Sequence, residues 1–332
     1  MAFDDQLAEI VDLDRFEPVQ SQLIEDQQVD AVQFAHRVFV AAVQPRAAQP
    51  FEQFVGALGV NAVRTIATSI NPVDDKTREG GIGEGTPPFP TTLGWDIAGI
   101  VIEPGASGLH PGERVFGMSQ QLDTGRGTWA DVVVMPADSV APAPASVSLV
   151  EAAAVPLIGL TALQTLDWLA VSAGERLLIA GAAGAVGNVA LQVASARGIH
   201  VDALVSRDAD VDLAVAYGAK FATTDPAALP HHSYDAVFDT FGAFVIDSVA
   251  DAGRYASIAT QAGPVPDLSE RSVRTTVNQV REDGARLREL AGYIDQGALR
   301  VQADSTFGIH EIRQAHERFA ARGRRGKVVV TF

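Results

Sequence analysis

Cysteine is absent from this 332-residue sequence, and positive charge is scarce: lysine and arginine number 25, against 41 aspartates and glutamates. Without cysteine, disulfide bonds, iron–sulfur ligation and thiol nucleophiles are excluded. The formal net charge of −16 argues against a nucleic-acid partner, because polyanions are bound by basic patches. The basic run at residues 322–327 (RGRRGK) is short and precedes a strand, so we interpret it as a solvated helix end.

The sequence also lacks long apolar runs and the pattern of a signal peptide. The sequence has no stretch of about 18 apolar residues, so we expect no membrane partner. Residues 1–12 (MAFDDQLAEIVD) are acidic and lack a basic region followed by an apolar core, so we expect no signal peptide and a cytoplasmic location. The content of 47% hydrophobic and 20% charged residues is typical of a soluble globular protein, and the length suffices for two domains.

The sequence pattern changes along the chain. Residues 1–28 are acidic and glutamine-rich and are interpreted as an extension, whereas the part that follows has short β-branched runs separated by glycine and proline, as in a small β-barrel. From Ser148 strands alternate with helices, which indicates a parallel sheet covered on both faces. We predict a β-barrel-type domain at 29–147 and 277–332, and a parallel-sheet domain at 148–276.

Within the second domain, apolar runs with strand character are separated by segments of helical period. The strands are RLLIA, IHVDALV, KFATT, YDAVFDTF and RYASIA. Helices are predicted over residues 186–196, 211–217 and 244–251. After this domain the sequence predicts one more helix, a strand, another helix and a closing strand, KVVVTF.

Three glycines follow the strand RLLIA at a spacing of three: Gly181, Gly184 and Gly187. The first allows a tight turn, the second a close approach of the backbone to a pyrophosphate, and the third close packing of the helix on the strand. The free N–H groups at the start of the helix then favour an anion. The alternative is a packing turn without a ligand, for which one such glycine would suffice.

The end of the next strand bears on which dinucleotide would bind. An NAD site has an acidic residue there that binds the ribose hydroxyls, whereas this strand ends in Ser206 and Arg207. A hydroxyl and a guanidinium suit a 2′-phosphate, which favours NADPH. Asp202 lies inside the strand instead of at its tip. In the alternative interpretation Arg207 is a solvated loop residue paired with Asp208.

Several segments together resemble a known family. In chain order they are SINPVDDKTREG, PFPTTLGWDIAGIVIEPG, GERVFG, GTWADVVVMPA, EAAAVPLIGLTAL, the glycine turn, YDAVFDTFG, GRYASIA and GKVVVTF. They resemble the medium-chain dehydrogenase/reductase superfamily, and within it the zinc-free quinone oxidoreductase-like branch. The resemblance implies an α/β fold with a GroES-like β-barrel-type domain and a Rossmann domain with a doubly wound parallel sheet. It also implies a homodimer.

Two departures from the superfamily pattern stand out. Zinc alcohol dehydrogenases of the superfamily have Gly-His-Glu where this chain has Gly94-Trp95-Asp96, and their zinc sites need cysteine. We therefore expect no metal site, and we interpret the histidines of the two candidate pairs as surface residues: His231, His232, His310 and His316. The second departure is residues 35–62, which lack the turns and the charge of the family.

The resemblance also implies roles for individual residues. Asn71 would lie beside the nicotinamide and donate a hydrogen bond to a substrate oxyanion. Thr161 would approach the nicotinamide carboxamide, and the substrate pocket would include Asp74, Lys76 and Trp95. The alternatives are a turn residue for Asn71, a helix residue for Thr161, an ion pair for Asp74 with Lys76, and a core position for Trp95.

The remaining implied contacts are with the cofactor. Backbone N–H groups of Gly184, Ala185 and Val186 would bind the pyrophosphate, and Ser206 with Arg207 would bind the 2′-phosphate. Phe241 and Gly242 would border the path from the adenosine to the nicotinamide. Ser257 and Ile258 would lie near the carboxamide.

The function that these features favour is an NADPH-dependent reductase, independent of zinc, that transfers hydride to a quinone or an activated alkenone. Conjugated carbonyls accept hydride directly from a nicotinamide, so the protein would mainly orient the reactants and exclude water. One alternative is an enoyl-thioester reductase, for which a basic entrance patch would be expected. The other is a non-catalytic NADPH-binding protein that acts as a sensor or scaffold.

Overall fold

A computed structural model of the protein describes residues 60–87, 90–105, 107–321 and 323–332. The extension predicted at 1–28 and most of the divergent segment 35–62 lie outside the described residues. Within them the chain forms two β-sheets flanked by helices. The predicted α/β fold, with a GroES-like domain and a Rossmann-type parallel sheet, is confirmed.

The first sheet is built around one long strand, β1 (Val60–Ser69), which pairs with three others. The sheet runs in the order β12-β13-β1-β2-β3-β5, and β4 pairs with β1 beside this path. β1 is buried except at Arg64 and Ile66, the first four residues of β2 are buried, and both strands are rich in Val, Ile and Ala. The other strands are β2 (Asp96–Glu103), β3 (Arg114–Met118), β4 (Val132–Pro136), β5 (Val140–Pro142), β12 (Ala303–Gly308) and β13 (Lys327–Thr331).

The second sheet is parallel throughout, with the strand order β11-β10-β9-β6-β7-β8. This is the order of a doubly wound dinucleotide-binding sheet, in which ligands bind at the carboxyl ends of the strands near the point where the order reverses. That point lies between β6 and β9. The strands are β6 (Arg176–Ala180), β7 (His200–Leu204), β8 (Phe221–Thr223), β9 (Tyr234–Asp239), β10 (Val249–Ser257) and β11 (Arg274–Val277).

The α-helices cover the sheets and join them. Pro156 begins α4, where its missing N–H and fixed φ are tolerated, and so produces the break in helical pattern that the sequence contains. The described residues include no helix with the length and apolar character that crossing a membrane requires. The helices are α1 (Pro72–Arg78), α2 (Gln121–Thr124), α3 (Leu149–Ala152), α4 (Pro156–Leu169), α5 (Ala185–Ala196), α6 (Val211–Ala216), α7 (Gly284–Asp295) and α8 (Ile312–Ala320).

The prediction of a helix over residues 244–251 is wrong. Residues 241–248 form an irregular loop, and β10 begins at Val249. The Asp239 carboxylate accepts the four consecutive N–H groups of residues 241–244, and Gly242 and Phe244 have positive φ angles of 87° and 49°. These left-handed residues cannot begin a right-handed helix.

One hydrophobic core extends from the first sheet through α4 to the parallel sheet. It includes Phe116 and Met118 of β3, Leu163 of α4, and Ile179 of β6, all with 0% exposure. Because α4 packs on strands of both sheets, this core fixes the position of one sheet relative to the other.

We expect Leu163→Ala to destabilise the protein by about 2–5 kcal/mol, because it removes buried methyl groups and leaves a cavity. Urea denaturation measures this change. Val215→Ala, at a side chain on α6 that is 49% exposed, is the control and should stay within about 0.5 kcal/mol of the wild type. A loss equal to that of the control would mean that the core does not depend on Leu163.

Candidate active site

The glycine turn after β6 is tightly packed. Gly181 has a φ of +81°, and a Cβ there would lie 2.2 Å from the Oγ1 of Thr240. A Cβ on Gly187 would lie 2.2 Å from the carbonyl oxygen of Gly181, so only glycine lets α5 approach the turn this closely. Gly184 is the N-cap of α5 and has no side chain that could cover the first N–H groups of the helix.

A cleft opens at the start of α5. It is lined by Gly184, Ala185 and Asn188 on one side, and by Arg300, Gln302 and Gly326 on the other. The first turn of a helix leaves its N–H groups without intrahelical partners and carries a partial positive charge. The geometry of the turn, the free donors and a cation on the opposite wall suit a phosphate group.

A buried carboxylate shapes the neighbouring wall of the site. Besides the four loop N–H groups, Asp239 accepts a hydrogen bond from the Tyr255 hydroxyl at 2.6 Å, and burial with this bond raises the pKa of the Tyr255 hydroxyl. Thr240 donates to the Ala180 carbonyl at 2.8 Å and so ties the loop to the glycine turn. Phe241 remains 47% exposed above the turn. Asp239 therefore holds the loop that contains the predicted cofactor residues Phe241 and Gly242.

Ser206 and Arg207 are exposed immediately beyond the carboxyl end of β7, as predicted. The interpretation that pairs Arg207 with Asp208 is wrong. The Nε of Arg207 donates to Oδ2 of Asp210 at 2.6 Å, whereas Asp208 accepts from the Thr224 hydroxyl at 2.8 Å. Asp210 begins the turn into α6 and is therefore the carboxylate that faces back toward Arg207.

The residues predicted to approach the nicotinamide carboxamide lie in two different elements. Thr161 is 8% exposed, and its hydroxyl donates to the carbonyl of Leu157 at 2.7 Å, one turn earlier in α4. Ser257 ends β10, is 3% exposed and accepts from the N–H of Ala259, and Ile258 follows it. Thr161 thus has the hydrogen bonding of a helix-interior residue, and its contact with a cofactor stays a prediction.

A buried polar cluster joins the first sheet to α4, and two of its members, Asp96 and Lys327, are not predicted by any pattern in the sequence. Oδ2 of Asp96 accepts from Nδ2 of Asn71 at 2.8 Å and from the ammonium of Lys327 at 3.2 Å. The Ser69 hydroxyl also donates to Oδ2 of Asp96. Oδ1 of Asp96 accepts the N–H of Leu157 at 2.6 Å, in the first turn of α4. Lys327 follows Gly326, which lines the cleft at the glycine turn.

The cluster leaves Asn71 without a free amide group. Its Nδ2 donates to Asp96 and, at 3.4 Å, to the Ser69 carbonyl, and its Oδ1 accepts from Lys327. The side chain is only 1% exposed. This arrangement assigns Asn71 to hydrogen bonds inside the protein, and it does not support direct donation to a substrate oxyanion, which stays a prediction.

Asp74 and Lys76 do not form the ion pair considered as their alternative. Asp74 is 0% exposed and accepts from the N–H groups of Asn71 and Gly94, at 2.8 and 3.0 Å, and from the Gln121 amide at 3.2 Å. Lys76 instead reaches across to Gln261, beyond the end of β10, with a separation of 3.2 Å. Lys76 therefore connects the first sheet's domain with the parallel-sheet side of the molecule.

Trp95 is 5% exposed and packs in the core, and its contact with a substrate stays a prediction. Two further sequence-based interpretations need correction. His316 is not a surface residue: its side chain is 15% exposed, with Nδ1 at 2.8 Å from Oδ1 of Asp75. The run RGRRGK is not wholly a solvated helix end, because Lys327 is 4% exposed. The Lys327 ammonium pairs with the buried Asp96 carboxylate. The sequence does not indicate this pair, because the two residues are far apart along the chain.

Burial governs the protonation of this cluster. Loss of water raises the pKa of the Asp74 carboxyl to about 7, although the N–H groups of Asn71 and Gly94 and the charge of Lys327 lower it. Burial also lowers the pKa of the Lys327 ammonium, against the attraction of Asp96 and Asp74. Two carboxyl groups and one ammonium therefore share a region without bulk water.

The raised pKa of Asp74 has a consequence for stability. Its folded-state pKa of about 7 lies above the ordinary aspartate pKa of 3.8, so the native state binds the proton more tightly than the unfolded state does. Relative to Asp74→Asn, the wild type should lose unfolding free energy as the pH rises from about 4 to 7, by up to about 1.4 kcal/mol per pH unit. Urea denaturation at several pH values measures the slope.

Asp212→Asn, at an exposed aspartate of α6, is the control for this experiment and should retain the wild-type slope. A wild-type slope equal to that of Asp74→Asn would contradict the raised pKa of Asp74.

Gly187→Ala should both destabilise the protein, by about 1–3 kcal/mol, and weaken binding of a reduced nicotinamide nucleotide at least about tenfold, because the new Cβ forces α5 away from the glycine turn. Binding can be followed by the fluorescence of the reduced nicotinamide. The matched control is Gly292→Ala in α7, where the nearest atom to a Cβ is 4.0 Å away. The control should gain about 0.5–1 kcal/mol of stability and bind the nucleotide like the wild type.

Comparison with known proteins agrees with this architecture. Residues 59–145 match the alcohol dehydrogenase GroES-like domain, and residues 210–330 match a zinc-binding dehydrogenase domain. The chain is 29% identical over 282 residues to the 2-methylene-furan-3-one reductase of Solanum lycopersicum, which covers 81% of this chain and 70% of that protein. It is 27% identical to the chloroplastic NADPH-dependent alkenal/one oxidoreductase of Arabidopsis thaliana, covering 81% and 71%.

A solved structure with a similar fold points to the same family. The quinone oxidoreductase from Coxiella burnetii superimposes with a TM-score of 0.73 at 28% identity, covering 82% of this chain and 90% of that one. The chain belongs to the medium-chain dehydrogenase/reductase superfamily, among its quinone oxidoreductase-like members, and is an oxidoreductase that uses a nicotinamide nucleotide.

Proposed function

We propose that the protein is an NADPH-dependent reductase that transfers hydride to a conjugated carbonyl compound, a quinone or an activated alkenone, without a catalytic zinc. The observation that carries the proposal is the glycine turn opening into the cleft at the start of α5, with the exposed Arg207 beyond the neighbouring strand. Relatives named as an NADPH-dependent alkenal/one oxidoreductase and a quinone oxidoreductase support the same cofactor and substrate class.

The residues of the site fit the cofactor. Backbone N–H groups at Ala185 and Val186 would hold the pyrophosphate, and Gly187 leaves room for the helix to approach it. Ser206 and Arg207 would hold the 2′-phosphate. When bound, NADPH supplies the hydride.

The donor groups at the position of the superfamily's zinc site do not fit zinc. The chain has no cysteine, Trp95 stands in the Gly-Trp-Asp segment, and the Asp96 carboxylate is already bound by Asn71, Lys327 and the Leu157 N–H. An ammonium 3.2 Å from that carboxylate would repel a second cation. These features support a mechanism in which no step uses a metal.

The chain's own contribution is then orientation and exclusion of water. Asp239 holds the loop at residues 241–244 against the glycine turn, and Asp96 holds the first turn of α4, which lies along the cleft. A rigid cleft of this kind brings the two reactants together at fixed distance and angle. A quinone or enone needs only a proton in addition, which solvent supplies.

We also propose that the protein is a homodimer and acts in the cytoplasm. Within the described part of the chain, the edge strand β11 pairs only with β10, and its Val277 is 42% exposed. An exposed strand edge offers backbone groups for pairing with a second copy.

The first test follows the absorbance of reduced nicotinamide, comparing NADPH with NADH and using an ortho-quinone and a simple enone as acceptors. We expect rapid loss with NADPH. Arg207→Gln should raise the KM for NADPH about 10- to 100-fold, because a charge-assisted hydrogen bond to the 2′-phosphate is lost, and should leave the KM for NADH within about twofold. The control is Arg313→Gln, at an exposed arginine of α8.

Different outcomes separate the alternatives. Equal rates with NADH and NADPH would overturn the cofactor preference. Turnover of an enoyl thioester but not of the quinone or the enone would identify an enoyl-thioester reductase. Binding of NADPH without turnover of any of these acceptors would identify a non-catalytic NADPH-binding protein.

A further inference from the structure

A second arginine lies beside Arg207 and comes from the other domain. Arg325 precedes β13, a strand of the first sheet, and its Nη2 lies 3.2 Å from Oδ1 of Asp210. Arg207 binds the other oxygen, Oδ2, of the same carboxylate. Asp210 is 1% exposed, so one buried carboxylate holds two guanidinium groups from opposite sides of the domain junction.

Both guanidinium groups keep donors that face solvent. Their side chains are 42% and 53% exposed, for Arg207 and Arg325 respectively. Among the described residues, Arg207 makes its side-chain hydrogen bond through Nε alone, and Arg325 uses one terminal nitrogen, for Asp210 and for the carbonyl of Ala209 at 3.4 Å. A guanidinium has five N–H donors, so most of those in this pair remain available to a ligand.

The charges near the pair favour an anion. Two guanidiniums share the single negative charge of Asp210, so this group of three carries a net charge of about +1. Asp208, the next acidic residue, keeps its charge, but its carboxylate accepts a hydrogen bond from the Thr224 hydroxyl at 2.8 Å and not from either arginine. Asp304 accepts the backbone N–H of Arg325 and is itself paired with Arg318. A dianionic phosphate monoester suits this arrangement better than a neutral ribose hydroxyl does.

We propose that Arg325 is a second specificity-determining residue for the cofactor, which forms with Arg207 a clamp on the 2′-phosphate of NADPH, with Asp210 as the positioning residue. This inference rests on the proposed function and deepens it. The pair stands beyond the carboxyl end of β7, the second strand of the dinucleotide-binding motif, where the adenosine ribose lies in such folds. Because Arg325 belongs to the other domain, the 2′-phosphate would connect the two domains.

The test uses 2′,5′-ADP, which carries the 2′-phosphate, and 5′-ADP, which lacks it. Their dissociation constants are measured by calorimetry on the full-length protein and on Arg325→Gln, which keeps a donor toward Asp210. We expect the variant to bind 2′,5′-ADP about 10- to 100-fold more weakly and to bind 5′-ADP within about twofold of the wild type. The KM for NADPH should rise in parallel while that for NADH does not.

Three controls make the result decisive. Arg313→Gln removes an exposed arginine of α8 outside the pair and should change neither constant. A matching melting temperature for Arg325→Gln shows that the fold is intact, and Arg325→Lys, which restores the charge, should recover part of the lost affinity. If Arg207→Gln loses affinity for 2′,5′-ADP but Arg325→Gln does not, the assignment of Arg325 is wrong and the proposed function stands. If the wild type itself binds the two nucleotides equally, both are overturned.

Discussion

The arrangement of the molecule depends on the buried carboxylate of Asp96. One of its oxygens binds Asn71, Ser69 and Lys327 within the first sheet and the segment after β1, and the other binds the first turn of α4. Placing an aspartate and a lysine in a region without water costs several kcal/mol for each ion, which their attraction offsets only when hydrogen bonds satisfy the remaining positions. In this cluster both oxygens of Asp96 accept such hydrogen bonds. The pair therefore contributes less to net stability than to the correct placement of β2, β13 and α4.

The hydrogen bonds of Asp96 also position residues that line the candidate site. Lys327 directly follows Gly326, which lines the cleft, and α4 lines the opposite part of it. Asp239 has a similar role beside the parallel sheet. Its carboxylate accepts hydrogen bonds from four loop N–H groups and from the Tyr255 hydroxyl, and so fixes the loop. Two buried carboxylates thus hold the segments beside the glycine turn, one at the first turn of α4 and one in the loop at residues 241–244. A site that only positions two reactants needs walls of this rigidity.

The strand, glycine turn and helix on the predicted cofactor side could be predicted from the sequence because their signals are local. The glycine turn, the strand before it and the helix after it lie within about 20 residues, and the φ of +81° at Gly181 follows from the tight turn that these elements need. Ser206 and Arg207 lie where the strand ends, as local pattern predicts. The helix predicted over 244–251 failed because the deciding group, Asp239, acts through a loop geometry that apolar periodicity does not encode.

The residues of the polar cluster illustrate the opposite case. Asn71 and Lys327 are 256 positions apart, and no local pattern distinguishes a lysine that enters the interior from one in a solvated basic run. The partner of Arg207 and the second arginine at Asp210 likewise depend on how two distant segments meet. The sequence alone determined the fold class, the superfamily and the dinucleotide turn, because these depend on period and on short-range backbone requirements. Only the tertiary structure decided which charges are buried and which are paired, since burial and Coulomb energy depend on distances in space.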